Sequence, residues 1–141
     1  MECNEQKSVN QDKPKIFIGS SKEKQNYAEE LQTIIRDWSN PEVWLDIFSV
    51  SKSTIENFEV KLPEFDMCVF LWTSDDVASI RGQDMQIARD NLIFETGLSY
   101  AYIGRQNTVI VREKNTKVIS DLYGITDIIH DFSQIYTDCC N

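Results

Sequence analysis

Apolar residues recur along this chain in two alternating rhythms. Short, nearly continuous apolar runs stand at Lys15 to Ser21, with Ile16-Phe17-Ile18 at their heart, at Glu42 to Phe48, at Met67 to Thr73, at Asn107 to Arg112 and at Thr126 to Phe132. Runs of that length read as strands, and the unbroken Met67-Cys68-Val69-Phe70-Leu71-Trp72 predicts a central strand covered on both faces. Between them lie segments with helical spacing. Lys24 to Trp38 places Tyr27, Ala28, Leu31, Ile34, Ile35 and Trp38 on one stripe, and Ser39-Asn40-Pro41 breaks it. A shorter helix carries Ile55, Phe58, Val60 and Leu62 and stops before Pro63, and Ile119 to Tyr123 reads as a turn of helix. Ser74 to Asp84, with Arg81-Gly82, reads as a polar loop. The alternation predicts one doubly wound α/β domain around five parallel strands, with Met67 to Thr73 near the centre.

The segment from 89 to 104 breaks the amphipathic rule. Ala88, Leu92, Ile93, Phe94, Leu98 and Ala101 cover most directions of its helical wheel, which predicts a buried helix. Glu95 interrupts this cover, projecting between Ile87, Leu98 and Tyr102, with Asn91 one turn earlier on the same face. A carboxylate among apolar neighbours is costly unless partnered, and its pKa is open to being raised. Two readings follow: a functional carboxylate, or one that pairs with an arginine or caps a loop. In doubly wound sheets ligands bind at the carboxyl ends of the strands, beside the switch in strand order. Ser20-Ser21, the loop after Phe48, Asp75-Asp76 and the start of the 89 to 104 helix are thereby expected on one rim. Serines at a strand's exit into a helix offer hydroxyls and free amides to a phosphate or ribose, although serine is also a common N-cap.

Composition narrows the partners. The 141 residues suit a single domain, long enough to bury about 70% of its unfolded surface without staples. Residues 1–13, whose one large apolar residue after Met1 is Val9, read as a loose N-terminal arm; 14–132 form the domain, and 133–141 a tail or the start of a linker. Fourteen basic against 23 acidic residues give a formal charge of -9, which argues against nucleic acid and anionic membranes as partners. No apolar run approaches the roughly 20 residues of a membrane span, and the polar start lacks a signal core, so a cytoplasmic location is expected. Cys3, Cys68, Cys139 and Cys140 have no zinc spacing and His130 stands alone, so no metal is expected. Cys68 reads as a small buried hydrophobe.

A flavodoxin-like, three-layer sheet in the order 2-1-3-4-5, with an aspartate after strand three, raises the reading of a phospho-receiver. A receiver needs an acidic pair after strand one and a lysine after strand four; the chain has Gly19-Ser20-Ser21 and Arg112-Glu113-Lys114. A flavodoxin wants a phosphate loop richer in Thr and Ser, together with aromatic loops. Both are set aside.

Six motifs in order, Phe17-Ile18-Gly19-Ser20-Ser21, Leu71-Trp72-Thr73-Ser74-Asp75-Asp76, Arg81-Gly82, Ala88-Arg89-Asp90-Asn91-Leu92-Ile93-Phe94-Glu95-Thr96-Gly97-Leu98, Gly104-Arg105 and Ser120-Asp121-Leu122-Tyr123-Gly124-Ile125, resemble the bacterial TIR domains of antiphage effectors. The resemblance covers roughly 14–132 and is greatest to the TIR domains of TIR-STING proteins and related cyclic-nucleotide-activated (CBASS and Pycsar) effectors. It implies an NAD+ hydrolase yielding ADP-ribose and nicotinamide, with NAD+ as substrate and no separate cofactor. In that family the glutamate of the Arg-Asp-Asn-(apolar)-(any)-Phe-Glu motif is catalytic, which matches Glu95. Thr96 and Ser99-Tyr100 depart from the pattern, standing where apolar or small residues are more usual.

The residue types fit that chemistry. Cleaving nicotinamide from ribose returns electrons to a cationic leaving group, so no general acid is required and one carboxylate suffices to stabilise or trap the oxocarbenium-like ribose. Asp90 or Asn91 is expected to hold ribose hydroxyls, Ser20 and Ser21 phosphate or ribose oxygens, Asp75 to join them at the rim, and Trp44 or Phe48 to stack on a ring. Two rivals remain, a non-enzymatic TIR module that recruits other TIR domains and a nucleoside deoxyribosyltransferase-like enzyme. The resemblance also implies activation by self-association with other TIR domains under a fused or separate STING-like cyclic-dinucleotide sensor. The chain is then expected to be a TIR domain excised from a longer effector, or a free module driven by a partner, with the loop from about Phe48 to Thr54 packing on a neighbouring subunit.

Overall fold

β-Branched and aromatic residues that alternate between two apolar environments build the sheet. In strand β1 (Lys15–Gly19) Ile16 and Ile18 face one side and Phe17 the other; in β3 (Met67–Trp72) Val69 and Leu71 oppose Cys68, Phe70 and Trp72. The computed structural model describes residues 12–43, 54–88, 90–117 and 127–130. Within them, β1, β2 (Asn40–Val43), β3, β6 (Thr108–Glu113) and β7 (Asp127–His130) form one parallel sheet in the order β2-β1-β3-β6-β7. The expected order 2-1-3-4-5 is therefore found, with β6 and β7 as its fourth and fifth members and β3 at the centre. Helix α1 (Gln25–Ile35) follows a 3-10 turn at Lys22–Lys24; α2 (Thr54–Lys61) runs into a second such turn, Leu62–Glu64, that accommodates Pro63; α3 is Asp90–Tyr102.

The two faces of the sheet carry separate cores. On one, Phe17, Phe58, Leu62, Phe65, Phe70, Trp72, Leu92 and Ile110 pack beneath α2 and α3; on the other, Ile16, Ile18, Val69 and Leu71 meet Ala28 and Ile35 of α1. Phe17 is the hub of the first, with ring centroids 5.4 Å from Phe58, 5.5 Å from Phe65 and 5.7 Å from Phe70. Cys68 is fully buried, and burial pushes its thiol up to about 12, so it serves as an apolar filler. Gly19 ends β1 opposite Phe70, where a Cβ would lie 2.6 Å from one ring carbon and 3.2 Å from Phe17. Gly19→Ala should destabilise the domain by about 1–3 kcal/mol through overpacking. A denaturant midpoint unchanged from wild type would show that the ring moves aside freely.

Four expectations are corrected. Strand β2 starts at Asn40 and includes Pro41, earlier than the expected Glu42, because the preceding helix is closed by Ser39, whose N–H and Oγ both reach Ile35 O at 3.1 and 2.7 Å. At the end of the sheet, with Ile16 of β1 on one side only, Pro41 needs no second ladder partner. Ser74 to Asp84 is not a loop: Asp76–Ile80 (β4) and Gln83–Ile87 (β5) form an antiparallel hairpin. Its turn residues Arg81 (φ 51°) and Gly82 (φ 77°) are both left-handed, the turn that suits strand twist. The α1 stripe is narrower than expected, since Ile34 and Trp38 are exposed. Finally, α3 is not buried all round: Phe94 is 54% exposed and Ala101 and Tyr102 face outward, leaving Leu92, Glu95, Thr96 and Ser99 as the buried positions. The expected continuation of β2 to Phe48, the 48–53 loop and the turn of helix at 119–123 lie outside the described residues.

Candidate functional site

From β1 the chain moves to β2 on one side and then crosses from β2 to β3 on the other side of β1, so the switch in strand order falls between the carboxyl ends of β1 and β3. Gly19 and Trp72 end those strands, and the hairpin that follows β3 leads directly into α3. Ser20 and Ser21 follow the end of β1 and Asp75 follows the end of β3, at the edge of the sheet where the switch falls. Phe48 and Trp44 lie outside the described residues.

Glu95 stands on the second turn of α3 and is only 7% exposed. Burial raises its carboxyl from 4.5 to about 7, because the charged form loses hydration. Among the described residues no hydrogen bond or ion pair holds this carboxylate, so the reading of a structural arginine partner finds no support there. At neutral pH it is poised between its two protonation states. Asp90 opens α3, and Asn91, in the first turn, is exposed rather than sharing the burial of Glu95.

The two serines divide in behaviour. Ser20 Oγ donates to Ser21 O at 3.1 Å. Ser21 is 5% exposed and precedes the 3-10 turn, its carbonyl accepting from Lys24 N but its side chain making no cap, and its buried Oγ has no partner among the described residues. A buried hydroxyl left unsatisfied by the fold is open to a ligand oxygen. Asp75, half-buried, accepts a hydrogen bond from the Thr73 hydroxyl and so is already engaged in shaping the exit of β3.

Sequence reading missed the residues that fix this rim. Ser74 N donates to Glu113 Oε2 at 2.8 Å, Ser74 Oγ and Thr116 Oγ1 lie 2.7 Å apart, and Arg112 Nη1 donates to Thr116 O at 2.9 Å. Lys117 N bonds Gln86 O at 2.8 Å, tying the hairpin to the same segment. These polar side chains at and just past the ends of two adjacent strands were the available signal. Among the described residues no cluster of His, Cys, Asp or Glu could hold a metal ion, and no helix is long and apolar enough to cross a membrane.

Comparison with known proteins assigns the domain. CD-NTase-associated protein 12 of Flavobacterium daejeonense is 34% identical over 115 residues, 81% of this chain and 37% of that protein. The protein of the same name from Sphingobacterium faecium is 32% identical over 114 residues, 81% and 35% of the respective chains. The Pycsar effector protein BcPycTIR of Burkholderia cepacia is 29% identical over 138 residues, 95% of this chain and 46% of its own length. The chain therefore spans about a third to a half of the length of these relatives. Residues 15–131, nearly all of the doubly wound sheet and its helices, match the model of the CAP12/Pycsar effector protein TIR domain, and the chain belongs to that family of TIR domains.

Proposed function

We propose that this TIR domain is an NAD+ glycohydrolase, releasing nicotinamide and ADP-ribose as an effector of antiphage defence. One observation carries the reading: a buried glutamate, without a partner among the described residues, on the helix that starts at the ligand-binding rim. A carboxylate buried in that way is destabilised by lost hydration, and a neighbouring cation would offset the loss. NAD+ supplies one as the nicotinamide ring, and during the reaction that charge moves to C1′ of the ribose.

The C1′–N bond breaks with its electron pair moving to the ring nitrogen, so nicotinamide leaves neutral. The positive charge passes to the ribose, where Glu95 stabilises or captures it. Water then adds at C1′ and releases a proton, giving ADP-ribose. The unsatisfied Ser21 hydroxyl supports a contact to ribose or phosphate oxygens, whereas Asp75, bonded to Thr73, is better suited to shaping the rim than to binding.

The test is nicotinamide release from NAD+ by the purified chain. Release of a free base from deoxynucleosides, with NAD+ left intact, would establish the transferase-like alternative; no turnover of either, with retained self-association, would leave a TIR-TIR recruitment module. The names of the relatives, CD-NTase-associated and Pycsar effector, support an effector role under a cyclic-nucleotide sensor. We extend the proposal to activation by assembly with other TIR domains. Specific activity should then rise severalfold as protein concentration is taken through the micromolar range, and a flat dependence would indicate a self-sufficient monomer.

A further inference from the structure

Helix α3 must be held at one rotation about its axis for Glu95 to meet the rim, and hydrophobicity does not choose that rotation. Leu92, Ile93, Phe94, Leu98 and Ala101 point in nearly every direction around the helix, so burial alone favours no face strongly. The structure selects the face with hydroxyls. Thr96 and Ser99, fully buried, point at the sheet, while Phe94 is left 54% exposed. Thr96 Oγ1 donates to Leu92 O at 2.8 Å and accepts from Trp72 Nε1 at 3.1 Å. One turn later, Ser99 Oγ and Thr108 Oγ1 lie 2.7 Å apart, and Thr108 Oγ1 donates to Gly104 O at 3.1 Å. The helix is thereby pinned to β3 at one height and to β6 at the next.

We propose that the Trp72–Thr96 hydrogen bond is a rotational lock that seats the Glu95 carboxylate, making Trp72 and Thr96 positioning residues for it. An apolar pair would fill the same space without burying an indole N–H and a hydroxyl, which are tolerable only because each is satisfied. What the polar pair adds is direction. Glu95 adjoins Thr96, about 100° around the helix, so the angle set at Thr96 sets the angle of Glu95. A rotation of about 20° would swing the carboxylate on the order of 2 Å, and a 1 Å misplacement can cost about 10²-fold in rate. Turning Glu95 outward would also return water to it and lower its pKa. The catalytic meaning of the lock rests on the NAD+-cleaving reading above; the seating of the carboxylate does not.

The experiment compares Thr96→Val, Trp72→Phe and Thr96→Ser with the wild-type chain, by steady-state nicotinamide release and by NMR titration of the Glu95 carboxyl carbon. Thr96→Val strands the buried indole N–H, whereas Trp72→Phe removes the donor and leaves Thr96 bonded to Leu92 O at the cost of a smaller core side chain, so both are read per folded molecule. Both should lower kcat roughly 10- to 100-fold per folded molecule with KM nearly unchanged, and both should titrate Glu95 below the wild-type value. Thr96→Ser, which keeps the hydroxyl, should restore kcat and titration. Wild-type kcat and titration in folded Trp72→Phe would overturn the lock, as would activity losses that only track the unfolded fraction. If the wild-type chain releases no nicotinamide, the functional reading fails, and the titration alone decides the lock: a Glu95 that titrates identically in wild type and Trp72→Phe rejects it.

Discussion

Glu95→Gln should reduce nicotinamide release by about 10³-fold or more and, at pH 8, make the domain more stable. The amide keeps the shape of the side chain and removes the charge that would face the ribosyl cation. The gain in stability follows from burial. The carboxyl titrates near 7 when folded and near 4.5 when unfolded, so between those values the unfolded chain has released a proton that the folded chain still binds. Stability therefore falls as pH rises across that window, by about 3 kcal/mol in total. Glutamine is spared this loss. The variant should match wild type below about pH 4.5 and exceed it above 7 in urea melts followed by circular dichroism. A destabilisation of about 3–5 kcal/mol would instead reveal a buried ion pair whose partner has been stranded. Full activity in the variant would remove the carboxylate from the chemistry altogether.

A buried carboxylate expected to cost the fold stability is better suited to chemistry than to folding, and that conflict was visible in the sequence. Glu95 stood out because it interrupts the apolar run Leu92 to Leu98, and the central strand stood out because Met67 to Trp72 contains no charged residue at all. Both are one-dimensional signals. What remained hidden depended on contacts far apart in the chain. The β4/β5 hairpin escaped notice because its residues are largely exposed, Val77 and Gln83 among them, so burial imposes no clean alternation of period two. The outward face of α3 escaped for the opposite reason: apolar residues all round its wheel gave no face, and Thr96 and Ser99 declared theirs only through Trp72 and Thr108, strands away. The spare hydroxyl of Ser21 could not be told from an N-cap until the 3-10 turn after it proved to be uncapped by any side chain.

The pH dependence of catalysis should run opposite to that of stability. An electron-rich carboxylate is needed at the forming cation, so the active form of the free enzyme is the one with Glu95 ionised. With that group at about 7, kcat/KM should rise nearly tenfold per pH unit up to that value and level off above it, a change of about 100-fold between pH 5 and pH 8. The Glu95 contribution to stability runs the other way, being greater at pH 5 than at pH 8, so circular dichroism at each pH separates loss of fold from loss of the ionised carboxylate. Once NAD+ is bound, its positively charged nicotinamide ring should favour the carboxylate, and kcat should inflect at a lower pH than kcat/KM. A profile flat from pH 5 to 8 would show that ionisation of Glu95 does not limit the reaction. Activity that declines as pH rises through 7 would reverse the assignment, making the protonated carboxyl the working form and a general acid the missing element of the mechanism.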